Sequence, residues 1–115
     1  MVEEGWQAWT LGEVEALLEE DSADLSRDES ASWALVKVSP RALVQKKGEK
    51  VEEPTHWIVA EREDKVLYWD SLTEEYGVTR LKDGVATTLE NYGELSWALD
   101  ELFGQKPPET EKEKW

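Results

Sequence analysis

Four closely spaced runs rich in β-branched and aromatic residues, at 55–62, 66–70, 76–81 and 85–89, constrain the fold of this chain more than any other feature. Runs of this kind bounded by turn residues read as strands. The last two are joined through Lys82-Asp83-Gly84, and Asp-Gly supplies the positive φ angles that a two-residue hairpin turn requires. An antiparallel meander is expected. After it, Asn91 is placed to cap a helix in which Leu95, Ala98, Leu99, Leu102 and Phe103 fall at the spacing of a core-facing stripe, with Gly104 as its stop.

A second helix precedes the meander. Thr10 and Glu13 form a capping box, Trp9 and Val14 a hydrophobic staple, and Leu11, Val14, Leu17 and Leu18 share one face, which predicts a helix over residues 11–20. Its C-terminal end carries Glu19, Glu20 and Asp21, against the helix dipole, at about 0.3–1 kcal/mol each when exposed. Residues 21–31 are polar and aperiodic and read as a loop. Residues 32–38 read as β-rich, residues 39–44 as a short helix or a second strand, and 45–53 as a loop. The fold class is α+β: an N-terminal helix, a mainly antiparallel sheet of four or five strands, and a C-terminal helix packed on one face. Residues 1–104 form one domain, and 105–115, with Pro107-Pro108 and alternating Glu and Lys, a flexible tail.

Composition decides which partners such a domain tolerates. The 27 acids and 13 bases leave a net charge of −14 on 115 residues. The acid concentrates in residues 1–31 (net −9) and 54–104 (net −7), with a basic island of +2 over 32–53. Nucleic acid and anionic membrane surfaces attract basic faces, so neither is an expected partner. Seven Trp residues and 39% hydrophobic content argue against disorder, and at this length folding buries roughly 65% of the surface of the unfolded chain. With no cysteine, disulfides and thiolate nucleophiles are closed. The N-terminus lacks the basic start and apolar run of a signal peptide, and no stretch has the roughly 20 apolar residues of a membrane helix, so a cytoplasmic protein is expected. One Met, one Asn and three Gln among many Glu and Lys make a thermophile-like mixture.

The motifs that carry chemistry are few. Asp21, Asp24 and Asp28 lack the order of a calcium loop, and there is no Gly-rich phosphate loop, G-x-S-x-G elbow or metal-spaced His cluster, so no cofactor or metal is expected. Glu63-Asp64-Lys65 matches the short E-x-K pattern of metal-dependent nucleases, but in a predicted turn on a chain whose charge opposes DNA. The only histidine lies in His56-Trp57-Ile58-Val59, followed by Tyr68-Trp69-Asp70-Ser71-Leu72. Over about seventeen residues this wording resembles the His and Asp strands of papain-like peptidases, especially the SUMO-protease and adenoviral-protease group. The resemblance implies a base at His56 and an orienting carboxylate at Asp70, in a relative that has no thiol nucleophile. Hairpin parity sets a physical test: a two-residue turn at Glu63-Asp64 pairs Trp57 with Asp70 and leaves His56 on the opposite face.

Trp33, Trp57, Trp69 and Trp97 lie within predicted elements and read as core, whereas Trp6, beside an acidic helix, reads as an anchor for a basic partner. The leading functional expectation is therefore a non-enzymatic binding module of the inhibitor or immunity type. Trp6, Glu13, Glu19, Glu20, Asp21 and Asp24 would meet a basic protein by electrostatic steering followed by aromatic burial. The alternatives are a degenerate peptidase-like or small enzyme domain using His56 and Asp70, and a thermophile housekeeping domain whose charge serves solubility alone.

Overall fold

Thr10 opens the first helix by the reciprocal bonding its sequence predicts. The Glu13 amide donates to Thr10 Oγ1 at 3.1 Å, and the Thr10 amide donates to Glu13 Oε1 at 2.8 Å. In the computed structural model, which describes residues 9–50 and 54–104, this helix is α1, Leu11–Ser22. Val14 and Leu18 are buried, while Leu11, expected on the same face, is 46% exposed. The expected tail at 105–115 lies outside the described residues.

The polar stretch after α1 is not a loop throughout. Ser26 and Glu29 form a second capping box, with the Ser26 amide 2.9 Å from Glu29 Oε1 and the Glu29 amide 3.2 Å from Ser26 Oγ. They start α2, Arg27–Val36, which buries only Trp33 and Val36. The residues expected to begin a strand at 32 therefore belong to a helix, whose N-terminal acids Asp28 and Glu29 favour its dipole. The strand β1 follows directly as Lys37–Ala42. Among the described residues it pairs only with the next strand, so Pro40, which has no amide to donate, sits where a sheet tolerates it.

The meander forms as expected, from β2 (His56–Arg62), β3 (Lys65–Asp70), β4 (Glu75–Lys82) and the short β5 (Val85–Ala86). All pairings are antiparallel, in the order β1-β2-β3-β4-β5. The Asp83-Gly84 turn has both residues at positive φ, 56° and 81°, with Lys82 and Val85 paired across it. The strand expected over 85–89 ends at Ala86, after which the Thr87 amide and the Thr79 hydroxyl tie the chain back to β4 through Arg80 O and Thr88 O. It then returns as a sixth strand, β6, Glu90–Gly93, on the same edge of β4. Asn91 lies inside β6, so it does not cap the last helix. That helix, α3, is Leu95–Leu102, with Glu94 at its N-cap making no side-chain bond.

The sheet has two unequal faces. The helices cover one, where Val14, Trp33, Trp57, Val59, Leu67, Trp69, Leu95 and Leu99 build the main core. Leu95, Ala98, Leu99 and Leu102 are buried as their periodicity predicts, and Gly104 follows α3 at φ 82°. Trp33, Trp57 and Trp69 are core residues, and Trp97 is half-buried. The other face carries a smaller cluster of Leu43, Ile58, Val66 and Tyr68. Gly77 of β4 is required there, because a Cβ at that position would overlap the Tyr68 ring and the Glu90 carbonyl. No helix among the described residues is long and apolar enough to cross a membrane.

Candidate functional site

Two arrangements of functional side chains emerge, one on each face of the sheet. On the helix face a cleft of about 440 Å³ opens where the α1–α2 turn, α2, the β3–β4 turn and the N-terminus of α3 meet. Its floor is Trp69 and Tyr76, whose ring centroids are 4.8 Å apart, and Trp9 abuts Trp69 edge-on at 5.4 Å. Five carboxylates line it: Asp21, Asp24, Glu29, Glu74 and Glu94. Among the described residues no base lines it, and the ion pairs are Arg41–Glu61, Arg80–Asp64 and His56–Asp70, none of which involves these five. Asp21 Oδ2 accepts a 2.7 Å bond from the Tyr76 hydroxyl, which ties one carboxylate to the floor. Burial, then the hydrogen bond to Asp21 and its charge, push the Tyr76 phenol far above its ordinary range, so it stays protonated as that donor.

The charge of one cleft carboxylate, Glu29, also reaches α3. Burial, followed by the nearby charge of Glu29, raises the Asp100 carboxyl above its ordinary value. Among the described residues no group of three or more His, Asp or Glu side chains is arranged to hold a metal ion, so the cleft acids surround a space without converging on a point. An arrangement of this kind suits an extended organic cation, whose apolar stem lies on the aromatic floor while its charge meets the rim.

The structure distributes the sequence-selected residues unevenly. Asp21 and Asp24 enter the cleft, and Glu29, Glu74 and Glu94 join them from segments up to 73 positions apart. Glu13 is spent on the α1 cap, and Glu19 and Glu20 are exposed on α1 outside the cleft, with Glu19 lining a separate groove between α1 and β1. Trp6 lies outside the described residues. The E-x-K residues stay in a hairpin: Glu63 and Asp64 form the turn, and Arg80 Nη1 holds both Asp64 oxygens at 2.9 Å.

On the opposite face, His56 and Asp70 meet. Arg62 pairs with Lys65 across the two-residue turn as expected, but the register shifts between Ile58 and Ala60, so Val59 is an extra residue in β2. The bulge turns the parity over: Trp57 faces Trp69, and His56 faces Asp70 instead of lying on the other side of the sheet. His56 Nε2 is 3.3 Å from Asp70 Oδ2, and both residues are buried. The Leu72 and Thr73 amides donate to Asp70 Oδ1 at 2.9 and 3.3 Å, and Asn91 Nδ2 donates to Oδ2 at 3.1 Å. Asn91 is itself oriented by the hydroxyl of fully buried Tyr68, 2.5 Å from its Oδ1. Burial alone would raise the Asp70 carboxyl, but the Asn91 bond, the imidazole and the two amides outweigh it and hold the group below its ordinary value.

Sequence reasoning named His56 and Asp70 but missed Asn91, whose placement just before a helical stripe reads as a cap. It also missed Thr55 and Gln45, which approach the other ring nitrogen, Nδ1, at 2.9 and 3.4 Å. The chain matches no protein-family model, no curated protein and no solved structure.

Proposed function

We propose that this chain is a non-enzymatic binding module that docks on a basic protein, in the manner of an inhibitor or immunity protein, with the cleft over Trp69 and Tyr76 receiving a lysine or arginine side chain of the partner. The observation that supports this reading is the convergence of five carboxylates, none in an ion pair among the described residues, around an aromatic floor. A net charge of −14 steers a basic partner toward the chain, and the cleft supplies the local contact that fixes register. Glu19 and Glu20 widen the acidic approach along α1.

Using the chain as bait tests the proposal. A basic protein retained at low salt, released at high salt and lost with Asp24→Lys/Glu74→Lys agrees with it. Both substituted side chains are exposed and make no hydrogen bond among the described residues, so the variant spares the fold. A partner held equally well at high salt, or by the doubly reversed variant, contradicts it. Finding no partner at any salt favours a housekeeping domain whose charge serves solubility.

The His56–Asp70 pairing favours a second reading, a degenerate peptidase-like or small enzyme domain. A His56 NMR titration that changes in Asp70→Asn agrees with it, and one indifferent to Asp70 removes it.

A further inference from the structure

We infer that Thr55 is an activated hydroxyl nucleophile, able to accept an acyl group from an ester with His56 as its general base. The inference rests on the second reading above and adds the nucleophile that a cysteine-free chain otherwise lacks.

Thr55 Oγ1 lies 2.9 Å from His56 Nδ1, and on the far side of the ring His56 Nε2 faces Asp70 Oδ2 at 3.3 Å. Hydroxyl, imidazole and carboxylate thus follow one another in the order that acyl transfer uses. The partners also select the required tautomer. An ionised carboxylate only accepts, so the ring proton belongs on Nε2, and the Nδ1 lone pair is left facing the hydroxyl.

Asp70 acts as a positioning residue, fixed by the Leu72 and Thr73 amides and by Asn91, which Tyr68 holds in turn. Gln45 Nε2 stands 3.4 Å from the same ring nitrogen and belongs to an exposed residue. Its amide approaches the same lone pair that faces the Thr55 hydroxyl and so helps to fix the ring. Accessibility divides as the chemistry requires, with His56 8% exposed and Thr55 half-buried immediately before β2.

In the proposed step the Thr55 oxygen attacks the ester carbonyl carbon and its proton passes to His56 Nδ1. The bond between the carbonyl carbon and the leaving oxygen then breaks, its electron pair departs with that oxygen, and the proton held by His56 passes to the leaving group or to water. The product is an ester at Thr55, with no change in oxidation state.

The test is 4-nitrophenyl acetate added to the full chain, with nitrophenolate release followed optically and the acetyl group located by peptide mass spectrometry. The expected result is one acetyl group per chain on Thr55, absent in Thr55→Val, retained in Thr55→Ser, and formed about a hundredfold more slowly in His56→Gln. Circular dichroism of Thr55→Val, a near-isosteric change at a half-buried position, confirms that the fold survives. Acetylation confined to lysines overturns the inference, as does an unchanged rate at Thr55 in His56→Gln. Acetylation of His56 itself, undiminished in Thr55→Val but slowed in Asp70→Asn, overturns the role of Thr55 and leaves the His56–Asp70 reading standing.

Discussion

His56 Nε2 stands 3.3 Å from Asp70 Oδ2 because Val59 adds one residue to β2 between the hairpin turn and the pair. Side chains alternate across a strand, so this single insertion decides which face the only histidine occupies. Val59 is itself fully buried in the core beneath the helices. Val59→Ala should cost about 2 kcal/mol through lost burial and a small cavity, and leave the pairing of His56 intact. Deleting Val59 should cost far more, because restoring the strict register turns the start of β2 over. Urea unfolding midpoints, with NMR contacts between the His56 and Tyr68 rings, distinguish the two outcomes.

The lowered Asp70 carboxyl sets an acid limit on stability. Its native value lies below that of the unfolded chain, so the native state binds the proton less readily, and the stabilisation is complete above about pH 4. It is lost as pH falls through the native value. Asp70→Asn should destabilise by about 2 kcal/mol at neutral pH, since bonds from Leu72, Thr73 and Asn91 to a charged acceptor are replaced by weaker ones. Chemical unfolding from pH 7 to pH 2 should show the two proteins converging only in the acid range.

Asp100 has the opposite sign. Burial and the charge of Glu29 raise its native value, so folding favours the protonated form, and stability falls as pH rises from the unfolded value through the native one. Asp100→Asn should therefore raise the melting temperature at pH 7 and lose that advantage in acid. Paired melting curves at the two pH values check the sign.

Gly77 makes the narrowest fit of the glycines among the described residues. Its backbone lies against the Tyr68 ring and the Glu90 carbonyl, so Gly77→Ala must displace β6 or the ring that orients Asn91. The expected cost is about 3 kcal/mol, at the upper end for overpacking, because one obstructing atom belongs to backbone. A loss below about 1 kcal/mol in urea unfolding would mean that β6 yields freely.

Much of this architecture was legible where local rules act alone. The Thr10–Glu13 box, the Asp83-Gly84 turn and the stripe from Leu95 to Leu102 each depend on residues within a few positions of one another. The Ser26–Glu29 box was equally visible, but α2 buries only Trp33 and Val36, too few apolar positions to show a period. The bulge at Val59 has no local signal, since nothing in Ile58-Val59-Ala60 marks which residue is extra. Asn91 looked like a cap because its spacing suited one, and its actual partners, Tyr68 and Asp70, are more than twenty residues away. The cleft was half legible: Asp21 and Asp24 belong to a continuous acidic segment, whereas Glu74 and Glu94 join them only through the sheet and α3.

The most direct test of the docking account is an NMR titration of the chain with a short arginine-rich peptide at low and at physiological salt. The account predicts shifts concentrated at the cleft amides of Leu25, Gly93, Leu95 and Ser96, an affinity that falls steeply with salt, and loss of both in Asp24→Lys/Glu74→Lys. Shifts spread evenly over the acidic surface, or binding unchanged in that variant, would contradict it.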